Sequence, residues 1–168
     1  MFFLIGISDS LSIQSIVPAN IFIPDYITEF AYYLKNIAYI HNIEYNDDNL
    51  KFTASPFRFI WNGWNLFNPI SHGIFSISAT GSVMTIEYSI FSIEFLVYSI
   101  IFSAIALSPL FPSIIVRITY LLIIWSLYIF HLFWVRHRLN KLLKLLASKV
   151  AEQYLDSLSK FDKPGSLG

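Results

Sequence analysis

The chain has 168 residues, no cysteine, and eleven basic residues balanced by eleven acidic ones. Disulfides, thiolate metal sites and cysteine nucleophiles are excluded, and the balanced total argues against a general nucleic-acid binder. Mean hydropathy is +0.58 and charged residues make up only 13% of the chain, about half the share usual in a soluble domain, so a large part of it is suited to an apolar medium.

The first 23 residues alternate weakly through Leu11, Ile13 and Ile16. They are expected to form an irregular strand pair or an arm lying on the surface. The apolar start, Met1-Phe2-Phe3-Leu4, lacks the basic leader of a cleaved signal peptide. Pro24-Asp25 then offers a helix entrance, with Asp25 able to accept from the first free N–H groups. Ile27, Phe30, Ala31, Leu34, Ile37, Ala38 and His41 follow at helical spacing, so one amphipathic helix is expected over 25–41.

Beyond His41 the period falls from 3.6 to 2. Ile43-Glu44-Tyr45 and Leu50–Ala54 flank Asn46-Asp47-Asp48-Asn49, a strand, turn and strand. Phe57-Arg58-Phe59-Ile60-Trp61 and Trp64-Asn65-Leu66-Phe67 flank Asn62-Gly63, the dipeptide that suits a two-residue hairpin turn. The side chains of Phe57, Phe59, Trp61, Trp64 and Phe67 would then gather as an aromatic patch, either the core under the helix or an interface. Phe75, Ile77 and Ala79 alternate with serines, Thr80-Gly81 turns the chain, and Met84, Ile86 and Tyr88 face one way. Residues 1–87 thus read as an α+β head with roughly six antiparallel strands and one helix.

Residues 88–135 carry two formal charges, Glu94 and Arg117. A spanning helix needs about 20 apolar residues, and the prolines of Ser108-Pro109-Leu110-Phe111-Pro112-Ser113 would break a single longer one. A transmembrane helical hairpin is expected, about 90–107 and 114–135, joined to the head without a spacer. The following 14 residues hold five bases, Arg136, Arg138, Lys141, Lys144 and Lys149, and no acid. Leu139, Leu143, Leu146, Val150, Tyr154 and Leu158 make a helical stripe, so 136–168 is read as a basic amphipathic helix and tail. By the positive-inside rule both ends would face the cytoplasm, matrix or stroma, with Tyr88 and Trp134 in the aromatic belt.

Candidate working residues are few. Glu94 and His131 would lie at similar depth and could form an intramembrane polar pair; headgroup contact is the plainer alternative. Arg117 would snorkel to the far surface, or meet a lipid phosphate or a neighbour. Arg136, Arg138, Lys141 and Lys144 are candidate lipid or partner contacts. His41, Asp47, Asp48 and His72 share no recognised ligand spacing, and no catalytic or nucleotide-binding motif occurs. No metal or cofactor is therefore expected.

The sequence reads best as a non-enzymatic two-pass accessory or structural subunit of a larger membrane complex, in a bacterial or organellar inner membrane. Heavy use of isoleucine, phenylalanine and tyrosine suggests an AT-rich genome. Its partners would be other integral membrane subunits and phospholipids, with no nucleic acid and no identified small-molecule substrate. The alternatives are a self-assembling pore or transport component, and a membrane enzyme or lipid-binding module built on Glu94 and His131 with Glu87 or His72.

Overall fold

The structure, a computed structural model, describes residues 6–14, 18–54, 70–111 and 113–161. Their order is β1(Gly6–Gln14), α1(Ala19–Asn36), β2(Asn42–Tyr45), β3(Asn49–Thr53), β4(His72–Thr80), β5(Val83–Phe91), α2(Ile93–Leu107) and α3(Ile114–Phe161). The five strands form one antiparallel sheet in the order β1-β5-β4-β3-β2. The fold is therefore α+β, with three helices among the described residues. The Asn62-Gly63 hairpin and its aromatic patch, Phe57, Phe59, Trp61, Trp64 and Phe67, lie outside the described residues.

β1 is a regular edge strand, paired with β5 along its whole length. The irregular pair or loose arm expected here is thus corrected. Ile7, Leu11 and Ile13 pack on the core while Ser8, Ser10 and Ser12 are exposed. Asp9 occupies an inward position between them, which interrupts the two-residue alternation and hides the strand in the sequence.

α1 begins five residues before Pro24, with Pro18 outside its first turn and the carbonyl of Pro18 accepting from Ile21 and Phe22. Pro24 is inside the helix, not at its entrance. At the sixth helical position it falls in the second turn, where proline removes one backbone hydrogen bond. The helix also stops at Asn36, short of His41. Tyr39 takes φ +55°, and the N–H of Ile40 reaches back to the carbonyl of Leu34. That reversal buries Ala38 and Ile40 and leaves Ile37 exposed.

The tight turns follow their local chemistry. Asn46 Oδ1 accepts from the backbone of Asn49 at 2.8 Å, an Asx turn linking β2 to β3. Between β4 and β5 only Gly81 and Ser82 stand outside the ladder, and Gly81 has φ +62°. Positive φ at the first of two turn residues is the type II′ hairpin geometry that suits glycine.

The inner face of the sheet carries Leu50, Phe52, Phe75, Ile77, Met84, Ile86, Tyr88 and Ile90, all buried. α1 covers it through Phe22, Tyr26, Ile27, Phe30 and Leu34, with the ring of Phe30 set edge-on to Phe75. Val135, Leu139, Leu143, Leu146, Ala147 and Val150 of α3 complete the same core. The hydroxyl of Tyr26, fully buried, donates to the carbonyl of Leu143 at 3.2 Å.

α3 is continuous from Ile114 to Phe161, about 70 Å at about 1.5 Å per residue. The amphipathic stripe of 139–158 lies in its second half; from Leu139 to Tyr154 it packs on the chain's own head, and Leu158 is exposed. α3 is the one helix among the described residues long and apolar enough to cross a membrane. α2 has 15 residues, about 22 Å, short of the roughly 20 residues of a full span. The expected hairpin of two full spans is not confirmed. Ile90 and Phe91, assigned to the first span in the sequence, belong to β5, where they pair with β1 and β4, and Ser92 begins the helix only after them.

Candidate functional site

Exposure along α2 and the first half of α3 is inverted relative to a water-soluble protein. On α2 the buried residues are Glu94, Ser99 and Ala106, whereas Ile100, Ile101, Phe102, Ile105 and Leu107 are exposed. On α3 Ile114, Ile115, Val116, Ile118, Leu122, Ile123, Leu127, Ile129, Phe130 and Phe133 are exposed. Small residues let helices approach closely, as between helices packed in lipid. The hydroxyls of Ser99, Ser103 and Thr119 donate to the carbonyls four residues earlier, so none needs water.

The tip of this hairpin is apolar. Leu110, Ile114 and Ile115 are 77%, 72% and 73% exposed. Arg117 turns back on the tip, its Nε donating to the carbonyl of Phe111. It thus closes the connection between α2 and α3, where the sequence pointed to a snorkelling cation.

At the other end the hairpin meets the head. The ring of His131 lies parallel to Phe95, centroids 3.8 Å apart, with Trp134 beyond it at 6.3 Å. This sets His131 at the level of the residue following Glu94. His131 Nε2 is buried without a hydrogen-bond partner. Glu87, by contrast, lies on the outer sheet face, and His72 stacks on Phe91 at 4.2 Å. The structure does not gather Glu87 and His72 around His131. No group of metal-ligating side chains occurs among the described residues.

One turn further along α3 is a polar cluster. Arg136 Nε donates to Asp9 Oδ2 at 2.6 Å. Asn140 Nδ2 reaches the same oxygen at 3.4 Å. The hydroxyl of Tyr88 has two acceptors within reach, Asn140 Oδ1 at 2.8 Å and Asp9 Oδ2 at 3.2 Å. Burial raises the pKa of Asp9, but its hydrogen bonds from Arg136, the backbone of Ser10 and Asn140 outweigh that and hold it below the usual carboxylate range. Burial and the adjacent Asp9 carboxylate push the Tyr88 phenol well above its usual value. The cluster joins β1, β5 and α3 where the apolar half of the long helix ends, and so fixes the head to the rod.

Three of its members escaped the sequence analysis. Asp9 is the lone acid of a weakly patterned strand, and Asn140 the amide beside the apolar stripe at Leu139; neither has a partner in its own local sequence. Tyr88 was expected in the interfacial belt, but it is almost wholly buried, because its ring stacks on Phe75 in the core. The remaining bases divide. Arg138 lies over the Trp134 ring at 4.9 Å, Lys149 pairs with Glu29, and Lys141 and Lys144 are exposed.

Beside the cluster a groove of about 210 Å³ runs between the start of β1 and α3, lined by Gly6, Ile7, Ser8, Ile129, Leu132, Phe133 and Arg136. A wider polar concavity, about 460 Å³, lies on the outer face of the sheet among Ser8, Ser10, Ser76, Glu87 and Ser89. Comparison with protein-family models, with curated proteins and with solved structures finds no match.

Proposed function

We propose that this chain is a membrane-embedded accessory or structural subunit of a larger integral membrane assembly. In this reading the α2–α3 hairpin lies in the bilayer and the α+β head sits at its cytoplasmic, matrix or stromal face. The carrying observation is the inverted exposure of α2 and α3. Large apolar side chains point outward along both helices while Ser99 and Ala106 of α2 and Tyr128 of α3 are buried, an arrangement that water would penalise and lipid or partner helices would favour. Direct continuity of β5 into α2, and of the rod α3 into the head's core, would hold the head at a set height and angle, as a scaffold requires. Both chain ends would share one side, the side of the bases that follow Val135.

The test is the native mass of the tagged full chain, extracted from its own host in mild detergent, with mass spectrometry of what accompanies it. A large particle of fixed stoichiometry supports the subunit reading; a homogeneous monomer with lipid alone counts against it. A pore reading is disfavoured by the hydroxyls of Ser99 and Ser103, which are turned onto their own backbone and line no polar path.

A second topology draws support from the short α2 and the uncharged tip, namely a hairpin that dips into the far leaflet and returns. Because the chain has no cysteine, Ser113→Cys supplies a single reporter. Labelling by an impermeant thiol reagent from the far side supports two complete passes; labelling only after detergent supports the dipping hairpin.

A further inference from the structure

We infer that the groove between β1 and α3 is a seat for one anionic phospholipid, with an acyl chain against Ile129, Leu132 and Phe133 and the phosphate at Arg136. The inference rests on the membrane reading above and deepens it. Three features converge. The groove straddles the level at which α3 changes from mainly apolar to basic, so in the membrane reading its lower wall faces hydrocarbon and its rim faces headgroups.

Its apolar wall is half open: Ile129 and Phe133 are both more exposed than buried. At about 210 Å³ it is below the roughly 300–1,000 Å³ of sites that enclose a small molecule. A chain segment laid along the surface suits it better than an enclosed metabolite.

The rim carries the matching charge. Asp9 takes Nε of Arg136 and the Tyr88 hydroxyl also interacts with the guanidinium, which has five donors, four of them on the terminal nitrogens. The Arg136 side chain is still 48% exposed, and a phosphate would be met by a planar, charge-assisted donor pair. The serine hydroxyl of Ser8, at the head side of the groove, is committed to Ser89 at 2.7 Å.

The experiment uses the full chain in mild detergent, titrated with phosphatidylglycerol or phosphatidylcholine, retained lipid being read by native mass spectrometry. Wild type should retain phosphatidylglycerol preferentially. Arg136→Gln should weaken that retention about five- to tenfold, the share of one basic residue at a phosphate. Ile129→Trp, which fills the groove from an exposed position, should weaken it as well. Asp9→Asn leaves the guanidinium in place and Lys35→Gln removes an exposed base elsewhere on the head; both should retain the lipid. Equal retention of the two headgroups overturns the inference. So does equal loss in Arg136→Gln and Lys35→Gln, which marks diffuse attraction, or loss in Asp9→Asn, which marks a broken clamp. A chain that stays in solution without detergent and carries no lipid refutes the membrane reading itself. An integral chain without headgroup preference refutes the groove alone.

Discussion

The Asp9–Arg136 pair should couple the head to the rod by about 1 kcal/mol. A carboxylate–guanidinium hydrogen bond contributes about 1.5–3 kcal/mol where water is excluded and about 0.2–1 kcal/mol when fully exposed. Here Asp9 is 16% exposed and Arg136 48%, between those limits but nearer the lower one. Arg136→Ala should therefore cost about 1 kcal/mol. Asp9→Ala should cost more, about 2 kcal/mol, because the hydroxyl of Tyr88 and the amide of Asn140 also lose an acceptor, although they keep each other at 2.8 Å. The double variant should fall short of the sum by the coupling energy. The assay is reversible unfolding in mixed micelles followed by tryptophan fluorescence, with the four proteins of the cycle measured at pH 7 and pH 3. The sign of the pH effect follows from the lowered pKa of folded Asp9. Its stabilisation is complete above the unfolded value near 3.9 and is lost as pH falls through the folded value. Coupling below about 0.3 kcal/mol at pH 7, the usual noise of additivity, or coupling undiminished at pH 3, would refute the assignment of this cluster as the joint.

Three more outcomes are expected. Ile123→Lys, at a residue 50% exposed on α3, should reduce membrane insertion by about 2.5–3.5 kcal/mol, read as the inserted fraction in microsomes; if it instead raises solubility without loss of fold, α3 does not cross a bilayer. Gly73→Ala should destabilise the head by about 1–3 kcal/mol, since a Cβ there would come within 2.6 Å of the Phe52 ring, itself buried; an unchanged unfolding midpoint contradicts that packing. Tyr39→Gly should raise stability by up to about 1 kcal/mol, because a left-handed φ of +55° costs a side-chain-bearing residue about that much, less the extra chain entropy of glycine; a marked loss would mean that the exposed Tyr39 ring makes a contact of its own.

Much of this protein was written locally. The apolar run, the Asn46 and Gly81 turns, the alternation of β4 and β5 and the stripe Leu139–Val150 follow from side-chain period and backbone preference, which act over a few residues. Local pattern also placed Ile27, Phe30 and Leu34 inward. What it could not decide was where one element yields to the next. Ile90 and Phe91 suit a spanning helix as well as a strand; the partners β1 and β4 made them strand. Pro24 marks a helix start by propensity, yet the helix extends upstream of it, where Phe22 gains burial against the core. The candidate site was the least legible part. Asp9 and Arg136 are 127 residues apart, and an acid in a serine-rich strand has no meaning until the sheet register and the unbroken α3 bring it to its guanidinium. Composition determined that this chain carries a long, almost uncharged stretch; only the tertiary arrangement determined which polar groups meet at its edge, because pairing across such a separation depends on topology and not on neighbouring residues.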